Sequence, residues 1–205
     1  MCIRDRLDID SAIKLISEFS IVTFAIIKHN NACGIASCSS VLTSYKKALE
    51  SDPLSAFGGV LITNHKVDVD SASEMNNLFF EILIAPDYDE ESLKILKSKK
   101  NRILLKLKET NFDSRSSKKV LGGYLNQDLD IAENKIKNWK VVTQKTPSSE
   151  NYEDLQFANK IVKHSKSNAI VLVKNSQMIS SGVGQTSRVD ALKHAIEKAK
   201  TFSFD

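Results

Sequence analysis

Apolar positions recur at two different periods along the chain, and the alternation between those periods lays out its elements. From Leu7 to Phe19 the apolar side chains fall at Leu7, Ile9, Ala12, Ile13, Leu15, Ile16 and Phe19. That spacing is close to the helical period, and Asp10 with Ser11 can help start the turn, so an amphipathic helix is expected. Ile21–Ile27 is apolar, rich in β-branched residues and too short for an ordinary helix, which predicts a strand buried on both faces. Val41–Glu50 returns to helical spacing, and "SDPLSAFGGVLITN" then carries a Pro and Gly-Gly turn into a strand at Val60–Thr63. "FFEILIAPDYDEESLKILKSKK" repeats the logic with a strand through Ala85, a Pro stop, an acidic helix start and lysines in the last turn. Strands at Ile103–Leu107 and Val120–Leu125, a helix at Tyr152–Lys163, a strand at Ala169–Lys174, a hairpin turn at Asn175 and Ser176, and a helix opening near Val189 complete the pattern. Strand and helix alternate, which favours a mostly parallel sheet with helices on its faces.

Composition adds bounds to this outline. A chain of 205 residues with 41% hydrophobic content can bury one sizeable core or two small ones. The polar connection "NQDLDIAENKIKNWK" places an expected boundary around Gln127–Trp139, dividing a first unit at 7–138 from the start of a second, cut short, at 139–205. Met1–Arg6 ("MCIRDR") fits neither a targeting signal nor the pattern that follows and is read as a non-native leader. Lys plus Arg less Asp plus Glu gives 29 − 25 = +4, with the lysines scattered, which suits small anions and argues against nucleic acid. Three cysteines form no even framework, and neither a signal peptide nor a long apolar span is present, so no membrane is expected and a reducing cytoplasm is the default.

Candidate chemistry concentrates where the first strand stops. In open α/β sheets ligands gather beyond the carboxyl ends of strands, and Lys28 and His29 follow Ile27 there. Such a pair can hold an anion or exchange a proton. Spacing alone favours the plainer reading, a solvated strand end and a hydrogen-bonded loop residue. "GVGQTSRVDA" joins a strand to a helix through small residues whose N–H groups, with Arg188, can face an anion, although an ordinary left-handed turn explains it as well. His29, Cys33 and Cys38 match no common zinc spacing, so the cysteines read as small loop or core residues. His65, His164 and His194 read as surface or capping residues, and Phe57, Phe79, Phe80, Phe157 and Trp139 as core.

Taken together and in order, "IIKHNNACGIA", "SDPLSAFGGVLITN", "EILIAPDYDEESLKILKSKKN", "LGGYLNQDLD" and "FANKIVKHSKSNAIVLVKNSQMISSGVGQTSRVDA" resemble successive segments of one family. It is the bifunctional purine biosynthesis family, phosphoribosylaminoimidazolecarboxamide formyltransferase fused to IMP cyclohydrolase. The resemblance runs from about Leu7 to the C-terminus and falls in the formyltransferase part. It implies an internal fragment, without the cyclohydrolase domain, an upstream Arg-Tyr pair or the end of the second unit. It also implies an α/β fold of cytidine-deaminase-like mixed-sheet units with helices on both faces, and a homodimer with active sites at the subunit interface. The implied reaction is formyl transfer from 10-formyltetrahydrofolate to the 5-amino group of 5-aminoimidazole-4-carboxamide ribonucleotide. Zinc is not implied, because the deaminase metal signatures are absent.

Residue by residue, the resemblance makes His29 a base, Lys28 a charge stabiliser and Asn168 an orienting group. Asn30, Phe57, Gly58 and Glu81 fall among positions for the nucleotide, and Gln185 and Arg188 in a loop near nucleotide and folate. Val162, Ser165 and Ser167 fall where some members hold a structural potassium ion. A formyltransferase fragment therefore competes with a non-catalytic nucleotide-binding or dimerisation fragment, while a zinc deaminase conflicts with the missing ligands.

Overall fold

The computed structural model describes residues 2–109, 112–132, 135–202 and 204. Met1 of the expected leader, residues 133 and 134 of the expected connection, and residues 203 and 205 near the C-terminus lie outside them. The chain runs α1 (Ile3–Ile16), β1 (Thr23–Lys28), β2 (Asn31–Ser37), α2 (Val41–Ser51), α3 (Pro53–Ala56), β3 (Val60–Thr63), α4 (Val69–Met75), β4 (Ile82–Ala85) and α5 (Glu90–Lys97). It continues through β5 (Ile103–Lys106), β6 (Arg115–Val120), β7 (Gly123–Asp128), α6 (Ser149–Lys163), β8 (Ile170–Lys174), β9 (Gln177–Gly182) and α7 (Arg188–Thr201).

Seven strands form one mixed sheet in the order β5-β4-β3-β1-β2-β9-β8, with helices on both faces, and β6-β7 form a separate hairpin. Among the described strands of this sheet, β3-β4 and β4-β5 pair in parallel. β1 is antiparallel to both its neighbours, and so is β9 to its own. The expected mostly parallel sheet is therefore corrected. The cause is β2, which was not expected: "NACGIAS" is built of small residues and returns directly along β1 after a two-residue turn.

Alternation along the strands supplies two cores. Phe24 and Ile26 of β1 join Tyr45, Leu61, Met75, Phe80 and Leu83 on one face, while Ala25 and Ile27 join Leu15, Ile16, Ile62, Ile84, Phe157 and Ile161 on the other. Complete burial of Ile26 and Ile62 contributes about 2–3 kcal/mol each against exposure. Ile3–Arg6 of the expected leader form the first turn of α1, and Asp5 closes a capping box with Cys2 (2.9 Å to the Cys2 N–H). The strands β8 and β9, which lie beyond the expected boundary, pair into the same sheet through Ala36 and Gln177. No described helix is long and apolar enough to cross a membrane.

Candidate active site

β1 ends at Lys28 because the next two residues turn the chain back. His29 and Asn30 have φ of 53° and 65°, the pair of left-handed residues a tight antiparallel hairpin requires. Asn accepts that conformation readily and His more readily than most residues, yet each non-glycine residue there costs about 1–2 kcal/mol. Three contacts hold the turn. The buried carboxylate of Asp8 accepts the Asn30 N–H at 2.6 Å, Asn30 Nδ2 donates to Ser11 Oγ at 3.0 Å, and Asn31 Nδ2 donates to the His29 carbonyl at 2.9 Å. Helix α1 thus braces the turn that presents His29.

Lys28 and His29 line an open cavity of about 560 Å³ together with Asn31, Cys33, His194 and Lys198. The Lys28 ammonium donates to the Phe57 carbonyl. Asp52, only 2% exposed, lies beside this cavity and pairs with Lys198 at 2.5 Å. Burial acts to raise the pKa of the Asp52 carboxyl, but the Lys198 ammonium and Ser55 outweigh it and hold the group below its ordinary value. Burial, reinforced by the Asp52 charge, pushes the Cys33 thiol up to about 12, so Cys33 is a neutral wall residue. Its Sγ–H donates to the Ile26 carbonyl at 3.4 Å.

The other expected site residues do not line this cavity, and two of them touch residues that do, Phe57 through Lys28 and Gln185 through His194. Phe57 and Phe79 are 59% and 52% exposed and pack ring to ring at 5.0 Å, which corrects their assignment to the core. Phe57 follows the short helix α3, and Gly58 at φ 69° turns it outward while donating to the Phe79 carbonyl at 2.8 Å. Glu81 lies on the same side, its carboxylate 4.0 Å from Arg4. Asn168 and Gln185 pair through their backbones, and Asn168 Nδ2 also donates to the Gln185 and Thr186 carbonyls at 3.1 Å each. Gln185 Nε2 reaches His194 Nδ1 at 3.5 Å, which ties this loop to the cavity wall. Gly184 has φ 70°, the left-handed turn expected of "GVGQ". Arg188 is the exposed first residue of α7, whose cap is Ser187. Asn30 faces α1 rather than the cavity, since both its polar contacts go there.

Sequence reasoning missed Asn31, Asp52, His194 and Lys198. Asp52 before Pro53 carries a readable helix-start signal, and it does accept the Ser55 N–H at 2.8 Å. His194 was expected at the surface or a cap; it is exposed, but to the cavity. Lys198 carries no signal beyond its place on α7. Of the remaining histidines, His164 caps α6 and bonds Glu18 at 3.0 Å. Near it, Ser165 Oγ donates to the Ile161 carbonyl at 2.9 Å and the Val162 carbonyl accepts the Ser165 N–H at 3.1 Å, while Ser167 is exposed.

A mixed sheet bearing a braced Lys-His turn over a cavity lined by lysine and histidine defines a class: an α/β protein equipped to bind an anion and move a proton. The chain belongs to the AICARFT/IMPCHase bienzyme family, whose model matches residues 2–198. It is 57% identical over 199 residues to the bifunctional purine biosynthesis protein PurH of Bacteroides thetaiotaomicron, covering 97% of this chain and 39% of that protein. It is 50% identical over 208 residues to the PurH protein of Aquifex aeolicus, covering 100% and 40%, and 46% identical over 197 residues to that of a Thermoanaerobacter species, covering 94% and 39%. The chain thus spans about two fifths of the length of the curated relatives it matches.

Proposed function

We propose that this chain carries the formyltransferase chemistry of its family, moving the formyl group of 10-formyltetrahydrofolate to the 5-amino group of 5-aminoimidazole-4-carboxamide ribonucleotide in purine biosynthesis. The observation that supports this best is the Lys28-His29 turn, braced by Asp8 and facing a cavity with a further ammonium, that of Lys198. The substrate amine is conjugated with a carboxamide and is a poor nucleophile. As its nitrogen bonds to the formyl carbon, neutral His29 takes the amine proton, and the carbonyl electron pair moves to oxygen. Lys28 stabilises that oxyanion and Asn168 orients the amine or carboxamide. On collapse the bond from carbon to the folate nitrogen breaks, and the departing nitrogen receives the proton His29 holds.

Phe57, Gly58 and Glu81 receive the base and ribose in this reading, with Gln185 and Arg188 completing the substrate surface and Asn30 acting only through the turn it shapes. A homodimer with its site at the interface and a cytoplasmic setting belong to the same proposal. So does a potassium ion on oxygens of Val162, Ser165 and Ser167. Carbonyl and hydroxyl oxygens are suitable donors for a hard cation, and no step depends on it. Cyclohydrolase chemistry is assigned to none of these residues.

The test measures formyl transfer spectrophotometrically and nucleotide affinity by calorimetry. His29→Ala should lower kcat about 10²–10⁴-fold while changing nucleotide affinity little. Turnover near that of the unaltered chain would refute the base assignment. A second reading, a nucleotide-binding or dimerisation unit without turnover, draws on the 76% exposed Leu54 and 59% exposed Phe57 beside the cavity. It holds if the chain binds nucleotide and self-associates but transfers no formyl group.

A further inference from the structure

Asp52 and Lys198 have no part in the reaction as written above. A buried carboxylate costs several kcal/mol unless matched, and Asp52 is matched at both oxygens: Oδ1 by the Ser55 N–H at 2.8 Å and Oδ2 by Lys198 Nζ at 2.5 Å. The two partners differ in access. The side chain of Asp52 is 2% exposed and that of Lys198 27%, and Lys198 lines the same cavity as Lys28 and His29. An ammonium also carries three donors, and the ion pair with Asp52 engages at most one of them. Asp52, Lys198 and Lys28 all act on the ionisation of the Cys33 thiol between them, so the three charges converge on one wall. The two ammonium groups outnumber the one carboxylate there.

We infer that Lys198 is an anion-binding residue of this cavity, held in place by Asp52 as a positioning residue, and that it takes a phosphate or carboxylate group of a substrate. This deepens the reading given under Proposed function and rests on it for the cavity's role. A phosphate would come from the ribonucleotide and a carboxylate from the folate.

Calorimetric titration of the 205-residue chain with the ribonucleotide and, separately, with 10-formyltetrahydrofolate distinguishes the two sources. Lys198→Gln should weaken one of the two affinities about tenfold or more, as loss of a charge-assisted hydrogen bond does, and Lys198→Arg should keep most of it. Because Lys198→Gln leaves a lone buried carboxylate, the decisive variant adds Asp52→Asn, which removes the matched charges together. A purely structural pair predicts that this double variant, once its fold is checked by circular dichroism, binds both ligands as the unaltered chain does. The inference predicts that the loss persists. Affinities within twofold for both ligands would overturn it, as would an unaltered chain that binds neither. Failure of formyl transfer with binding intact would refute the proposed function but not this inference, because binding is read without turnover.

Discussion

Gly34 sits on β2, behind the turn that carries His29, at a point where the sheet and α2 nearly touch. A Cβ added there would stand 1.9 Å from the Ala48 carbonyl oxygen and 2.8 Å from its carbon, both backbone atoms of α2. Gly34→Ala therefore requires a retreat of the helix by roughly 1.5 Å to reach ordinary van der Waals separation. The helix is poorly placed to give way. Tyr45 and Ala48 are buried, Ser51 Oγ donates to the Met178 carbonyl, and Gln177 Nε2 donates to the Lys47 carbonyl at 2.9 Å. Overpacking a close-packed contact costs about 1–3 kcal/mol, and a clash with fixed backbone belongs at the upper end. At about 2–4 °C per kcal/mol for a chain of this size, a loss of about 3 kcal/mol lowers the Tm by roughly 6–12 °C. Thermal unfolding followed by circular dichroism measures it, with Gly122→Ala as control, since a Cβ there meets nothing within 4 Å. A Tm for Gly34→Ala equal to that of the control would refute the close approach of β2 and α2.

Three further outcomes are expected. Asp8→Ala removes the acceptor of the Asn30 N–H and should cost about 1.5–3 kcal/mol in urea unfolding, as loss of a hydrogen bond to a charged group does; an unchanged midpoint would show that α1 does not brace the turn. Burial acts to raise the Glu18 pKa, but Lys163 and His164 outweigh it and hold the carboxyl below its usual 4.5, so its stabilisation is complete above that value and is lost as pH falls through the lower, folded one. Glu18→Gln should therefore show a smaller drop in urea midpoint between pH 7 and pH 3 than the unaltered chain, and an equal drop would count against the pairing. Cys33, buried and pushed up to about 12, should resist a thiol reagent at pH 8 until urea unfolds the chain, whereas exposed Cys2 reacts at once; prompt labelling of Cys33 would contradict its place in the wall.

Local order was legible from local pattern. The helices at Val41–Ser51 and Ser149–Lys163, the buried strand ending at Lys28, and the turn at Asn175 and Ser176 all follow from period, length and turn residues. What was not legible depends on partners distant in sequence. β2 lacks the β-branched density of an ordinary strand because Gly34 must clear α2, so its composition answers to a neighbour rather than to its own backbone. The direction of β2 turned on His29 and Asn30 both accepting left-handed φ, a weaker signal than an Asn-Gly pair. Phe57 looked like core by type, yet a glycine turn places it outside. At the site, fold rules picked out Lys28 and His29 at a strand end, but their chemistry was legible only through family resemblance. Lys198 could not be found at all, since its place is set by a carboxylate far away in sequence, at the junction of α2 and α3.

That separation bears on how the cavity comes into being. The β1-β2 and β8-β9 hairpins each close over a few residues, whereas the bridge between Ala36 and Gln177 and the ion pair between Asp52 and Lys198 each join distant stretches of chain. Loop-closure entropy makes such junctions late events in folding. His29 arrives with the first piece and Lys198 with the second. The cavity is therefore whole only in the fully docked chain: a partly folded one holds His29 and Lys198 apart, and the two line a common space only when both pieces have met.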